Sequence, residues 1–203
     1  MECFKTCDFV AENLSENLEI KDDFYKKLSE VISNTAVITT NTSGMSINLL
    51  SRSVKWPERF IGMHWFNPPH LVPLIEIIKG EKTREDVAQT VYDLSLKIGK
   101  KPVLVNRDIP GFAANRLQFA ILREALDLVA QGVVSAEGID DVMKYGLGFR
   151  YACLGPLEVA DFGGLDTFTH ISSYLMKDLC DSKEVPELKE VEPGHYVACL
   201  LYE

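Results

Sequence analysis

Basic charge is scarce in this chain: 21 Lys and Arg face 30 Asp and Glu, a net charge of −9 over 203 residues. That balance excludes non-specific binding to nucleic acid or to an anionic membrane, both of which need a basic face. No apolar run approaches the ~20 residues that span a bilayer. The opening Met1-Glu2-Cys3-Phe4-Lys5-Thr6 has neither a signal nor a transit pattern, so the expected compartment is the cytoplasm. Five cysteines, an odd number without regular spacing, exclude a disulfide framework. Cys3 and Cys7 stand four apart, but no second Cys/His pair lies at zinc spacing, and no metal site is expected. A Gly-x-Gly-x-x-Gly turn is missing too. The one Gly-x-Gly, Gly146-Leu147-Gly148, has Tyr151 in the third glycine's place and follows a helical pattern, so it reads as a helix-ending turn.

What is present is a hydrophobic fraction of 46%, enough for one large or two small cores. Short apolar, β-branched runs at 7–14, 36–40, 60–63, 74–78 and 101–105 read as strands. Between them, 18–32 and 83–98 repeat apolar residues at helical spacing. The second of these starts at Thr83 with Asp86 as an acidic capping-box partner and stops at Gly99. This alternation defines an α/β unit over 1–108. After Pro110-Gly111 the pattern is helical throughout: 112–131 closed by Gly132, a shorter helix from Ser135 to Lys144, another opened by Gly155-Pro156, and a last one over 165–179. An all-α C-terminal domain over 109–203 is expected, with an irregular tail from about 181.

Two side chains point to chemistry. Glu76 lies inside the apolar run Leu74-Ile75-Glu76-Ile77-Ile78, where an ionised carboxylate is costly to desolvate unless a partner offsets it. His64, across the Pro68-Pro69 turn, is the partner that such a carboxylate would orient and make more basic. The pair reads as a base and its orienter, although His64 alone could be a core histidine and Glu76 alone a strand-edge carboxylate facing water. His70 and His170 have no carboxylate at a facing position.

The order and spacing of Asn41-Thr42-Ser43, His64-Trp65-Phe66-Asn67-Pro68-Pro69, Pro73-Leu74-Ile75-Glu76-Ile77-Ile78 and Asp108-Ile109-Pro110-Gly111-Phe112-Ala113-Ala114-Asn115-Arg116 resemble the L-3-hydroxyacyl-CoA dehydrogenase family, over about Cys7 to Leu179. The resemblance implies a partial Rossmann-like domain that lacks its first, glycine-rich half. It implies NAD as cofactor, an acyl-CoA substrate and a homodimer built on the helical domain. It puts the catalytic dyad on His64 and Glu76, substrate contacts on Ser43 and Asn115, and cofactor contacts on Glu16, Lys21, Ser43 and Asn67. The residues alone leave blander readings open. Ser43 could cap the turn after Asn41, Asn115 could be a polar helix-face residue, and Glu16 and Lys21 could belong to a solvated face. The long helix over 112–131 could be buried in its own domain instead of facing a second subunit. Three functions follow as expectations: 3-hydroxyacyl-CoA oxidation, impaired in this chain alone; oxidation of another 3-hydroxy acid; or a non-catalytic fragment that keeps the helical dimer unit.

Overall fold

The computed structural model describes residues 1–184 and, beyond them, the backbone of 188–192 and 195–198. It divides into two compact units, Met1–Arg116 and Leu117–Glu203. Their boundary falls just inside a helix.

The first unit is a five-stranded sheet in the order β1 (Phe9–Glu12), β2 (Val37–Thr40), β3 (Phe60–Trp65), β4 (Leu74–Ile78) and β5 (Lys101–Val105). β1, β2 and β3 run parallel, β4 is antiparallel to β3, and β5 is parallel to β4. Helices α1 (Leu18–Ser29), α2 (Ile47–Leu50) and α3 (Glu85–Lys97) connect the strands. Strand side chains alternate between faces, and the sheet is covered on both. On one side Val10, Ile38, Phe60 and Ile78 pack with Tyr25 and Leu28 of α1, Ile47 and Leu50 of α2, and Phe112. On the other, Val37, Ile61, Met63, Ile75 and Ile77 pack with Val87, Ala88 and Val91 of α3. Coverage on both faces is why these strands are near-continuous apolar runs. The same alternation puts His64 and Glu76 on the face of Phe60 and Ile78, where buried Phe112 lies close to the imidazole.

Several local expectations need correction. β3 runs on to Trp65, so His64 lies on the strand and not in a loop after it. Thr83 does not cap α3: its Oγ1 donates to Phe60 O at 2.7 Å and accepts from Gly80 N–H at 2.9 Å. The helix starts two residues later, and Asp86 forms a two-pronged pair with Arg84. Lys21 is not on a solvated face but is fully buried. The Gly99 stop is as expected, in a left-handed conformation at φ +80°.

In the second unit α4 (Ala114–Ala130), which begins at the end of the first unit, is followed by α5 (Ala136–Val142), α6 (Gly148–Tyr151), α7 (Pro156–Gly163) and α8 (Leu165–Leu175). Ser135 caps α5 by accepting from Gly138 N–H at 3.0 Å. Gly146-Leu147-Gly148 does not end a helix, because Met143–Leu147 form a wide π-type turn that leads directly into α6. A Cβ on Gly148 would lie 2.6 Å from Met143 O, so the glycine there serves backbone packing. α4 is not wholly buried: Leu117 and Phe119 are well exposed and only Val129 is buried. The tail is not irregular throughout, nor is this half all helix, since β6 (Leu188–Glu192) and β7 (His195–Ala198) pair antiparallel. The rest of the tail expectation, at 185–187, 193–194 and 199–203, lies outside the described residues.

Candidate active site

β3 and β4 pair so that His64 stands directly opposite Glu76. In an antiparallel pair, such residues have side chains close enough to bond. His64 Nδ1 lies 2.9 Å from Glu76 Oε2, with both side chains buried. The other carboxylate oxygen, Oε1, accepts backbone N–H bonds from Ala113 at 3.0 Å and Ala114 at 2.8 Å. Burial raises the Glu76 pKa, but the His64 bond and then the Ala114 and Ala113 amides outweigh it and hold it below the usual carboxylate range. Glu76 is therefore ionised at neutral pH and can only accept, so Nδ1 carries a proton, and in the neutral form of the imidazole Nε2 has the lone pair. Glu76 is thus no strand-edge carboxylate facing water, and the partner that satisfies His64 is a carboxylate.

The imidazole is held by rings, with Phe66 4.4 Å away and Phe112 5.7 Å away between centroids. It borders a cleft of about 560 Å³ lined by Ser43, His64, Asn67 and Asn115, together with Ala11, Asn13, Asn41, Trp65, Phe66 and Pro69. No buried side-chain nitrogen or oxygen among the described residues lacks a partner. Nε2, which has no protein partner among them, is therefore reached from the cleft. Asn115 Nδ2 donates to Ser43 O at 2.8 Å, which joins the start of α4 to the 42–44 turn. That leaves one Nδ2 hydrogen and the Ser43 hydroxyl for a ligand.

Four of the sequence-chosen residues thus meet at one cleft, and three lie behind it. Glu76 backs His64. Glu16 accepts from the Thr42 hydroxyl, from Ser43 N–H at 2.9 Å and from Gly44 N–H at 3.3 Å, so it shapes the turn that presents Ser43. Lys21 lies beneath, its Nζ 2.8 and 2.9 Å from the two oxygens of Glu12 and 3.3 Å from Leu14 O.

Sequence reasoning missed Glu12. Its carboxylate takes both Lys21 bonds and also accepts from Leu14 N–H at 2.5 Å, Tyr25 OH at 2.5 Å and Thr40 OH at 2.7 Å. Desolvation raises its pKa, but Lys21, Tyr25, Thr40 and Leu14 together lower it further. The signal was available, because Glu12 closes the strand Phe9-Val10-Ala11-Glu12 as Glu76 sits in Leu74–Ile78. Asn13 and Asn41 were missed as well. Asn41 Nδ2 donates to Asn13 Oδ1 at 2.9 Å, while its Oδ1 accepts from Trp65 N–H at 3.0 Å, tying the cleft's floor to β3.

The first unit is thus a Rossmann-like α/β domain with a histidine–carboxylate pair beside an open cleft. Residues 1–109 match the family model "3-hydroxyacyl-CoA dehydrogenase, NAD binding domain", and residues 111–191 match "3-hydroxyacyl-CoA dehydrogenase, C-terminal domain". The chain belongs to the 3-hydroxyacyl-CoA dehydrogenase family, whose members are NAD-dependent oxidoreductases. It is 43% identical over 178 residues to 5-formyl-3-hydroxy-2-methylpyridine 4-carboxylate 5-dehydrogenase of Mesorhizobium japonicum, covering 88% of this chain and 58% of the relative. It is 38% identical over 182 residues to 3-hydroxybutyryl-CoA dehydrogenase of Clostridioides difficile, covering 90% of this chain and 63% of the relative. A crystal structure of the pyridine 5-dehydrogenase, described as an NAD⁺-dependent dismutase, superposes with a TM-score of 0.87 at 42% identity, over 89% of this chain and 58% of that one. The chain spans less than two thirds of the length of each.

Proposed function

We propose that this chain carries the base and substrate-orienting groups for NAD-dependent oxidation of an L-3-hydroxyacyl-CoA to the 3-ketoacyl-CoA. One observation carries the reading: His64, with Nδ1 2.9 Å from the buried Glu76 carboxylate, borders a cleft that Ser43 and Asn115 also line. In oxidation His64 Nε2 takes the hydroxyl proton, and Glu76 stabilises the imidazolium that forms. The Ser43 hydroxyl and the free Asn115 N–H hold the oxygen as it gains charge. NAD, when bound, supplies the hydride acceptor. The neutral amides and hydroxyl of Asn13, Asn41, Ser43 and Asn67 suit a nicotinamide carboxamide and ribose hydroxyls, and these residues would hold that end of the cofactor. Glu16 and Lys21 act from behind, through the 42–44 turn and through Glu12.

The M. japonicum relative supports a second reading, a free aromatic or hydroxy acid as substrate. The cleft lining has no Lys or Arg to pair with such a carboxylate, whereas a thioester carbonyl needs none, and this favours the thioester. Exposed Phe149, Leu157 and Phe162 in the second unit suit a homodimer formed through that unit. Free Cys3, Cys7, Cys153 and Cys180 suit a reducing cytoplasm. No helix among the described residues is long and apolar enough to cross a membrane.

The sequence holds no Gly-x-Gly-x-x-Gly to form a turn for the pyrophosphate, so the chain by itself should bind NAD weakly and turn over slowly. The test is therefore made in a fusion to a βαβ unit that carries Gly-x-Gly-x-x-Gly. There 3-hydroxybutyryl-CoA should be oxidised in preference to free hydroxy acids, and His64→Gln should lower kcat by about two to four orders of magnitude with little change in KM. Preference for the free acid would select the second reading. Equal turnover by His64→Gln would remove His64 as the base.

A further inference from the structure

The first amides of an α-helix have no intrahelical acceptor and form its positive end. At α4 two of them are spent inside the dyad: Ala113 and Ala114 both donate to Glu76 Oε1, while Oε2 alone meets the imidazole. The chain reaches this position through two consecutive residues in the left-handed region, Gly111 at φ +76° and Phe112 at φ 49°. A phenylalanine seldom adopts that conformation, and this one is fully buried with its ring edge-on to His64. Asn115, next along the helix, is fastened to Ser43 O. The start of α4 is therefore tied at once to the carboxylate, to the imidazole and to the turn that presents Ser43.

We propose that the Ala113 and Ala114 backbone amides are positioning groups of the dyad: by saturating one oxygen of Glu76 they hold the other against His64, and they fix which atom of any side chain of that shape faces the imidazole. An ionised carboxylate accepts at both oxygens, so the arrangement selects Nδ1–H and leaves Nε2 free as the base. Any side chain of the same shape in that place must turn its acceptor toward the two amides. A carboxamide there would present its NH₂ to Nδ1, which must then accept, and the proton would move to Nε2, where it blocks the base. The inference deepens the dehydrogenase reading and rests on it for the role of Nε2, but the tautomer itself is a property of the ligand-free chain.

The experiment is nitrogen-15 NMR of histidine-labelled protein without cofactor or substrate, comparing wild type with Glu76→Gln at a pH where His64 is neutral. Wild type should show Nδ1–H and Glu76→Gln should show Nε2–H as the main form, a reversal that a purely structural role for the amides would not produce. Nδ1–H retained in folded Glu76→Gln would overturn the proposal. If that variant does not fold, the amide resonances of wild-type Ala113 and Ala114 decide. Glu76 is the ionisable group facing the imidazole, and the rings of Phe66 and Phe112 are its other partners. Both amides should move together with the His64 titration, and resonances that stay flat through it would refute the coupling. Because no turnover is read, failure here is distinct from failure of the dehydrogenase assignment.

Discussion

Lys21→Met tests the buried support of the site most directly. Both Lys21 and Glu12 are buried, and removing the ammonium leaves a desolvated carboxylate without its cation. Breaking a buried pair in this way costs about 3–5 kcal/mol. Tyr25 OH, Thr40 OH and Leu14 N–H remain on Glu12, and hydrogen bonds to a charged group are worth about 1.5–3 kcal/mol each, so the lower end, about 3 kcal/mol, is expected. Urea unfolding can be followed by tryptophan fluorescence, since Trp56 and Trp65, the chain's two tryptophans, both lie in the first unit. With m of about 1–3 kcal/mol/M, the midpoint should fall by about 1–3 M. Adding Glu12→Gln should recover part of the loss, because the residue left behind no longer carries a buried charge while its carbonyl still accepts from Tyr25 and Thr40. The folded pKa of Glu12 is lowered, so its stabilisation is present above the unfolded carboxylate value of about 4.3 and is lost as pH falls through the folded value. The gap between wild type and Lys21→Met should therefore narrow in acid. A single-variant loss below about 1 kcal/mol at neutral pH, or a gap that widens on acidification, would refute the account of this cluster.

Gly62→Ala should destabilise the first unit by about 1–3 kcal/mol in the same assay, because the new Cβ would lie 2.8 Å from Ile47 Cδ1 and 3.0 Å from both Cβ and Cδ1 of Ile78. Asp108→Ala should cost about 0.5–2 kcal/mol, since Asp108 Oδ2 accepts from the Ser46 hydroxyl at 2.6 Å and from Asn48 N–H at 2.9 Å at the start of α2. Asn115→Asp sets a carboxylate oxygen against Ser43 O and should raise amide hydrogen exchange at Ser43 and Gly44; unchanged exchange would show that this bond does not hold the turn. Light scattering of the chain at tens of micromolar should give a dimer mass, and a value of 22.8 kDa would dismiss the homodimer.

Periodicity located all five strands of the sheet and the main helices because burial on both faces wrote apolar runs into 36–40, 60–63 and 74–78. It also paired Glu76 with His64, since a charge inside such a run requires a partner, and His64 was the ring within reach. Applied to Glu12 the same argument would have led to Lys21, although the signal there is weaker. Glu12 ends a short strand and Lys21 sits on an amphipathic helix, positions where either charge is ordinarily solvated, and only the pairing of β1 with β2 brings Thr40, and the packing of α1 Tyr25, around them. Thr83 fails in the opposite direction. Its local sequence fits a cap, but a long-range acceptor, Phe60 O, takes the hydroxyl and shifts the helix start. The roles of Ser43 and Asn115 came from resemblance, because a bond from a helix side chain to a backbone oxygen 72 residues away has no local signature. Residues that bond within one element are thus legible from spacing. Those whose partner arrives from another strand or turn are legible only when desolvation makes their isolation intolerable, which is true of Glu76 and Glu12 and false of Asn115.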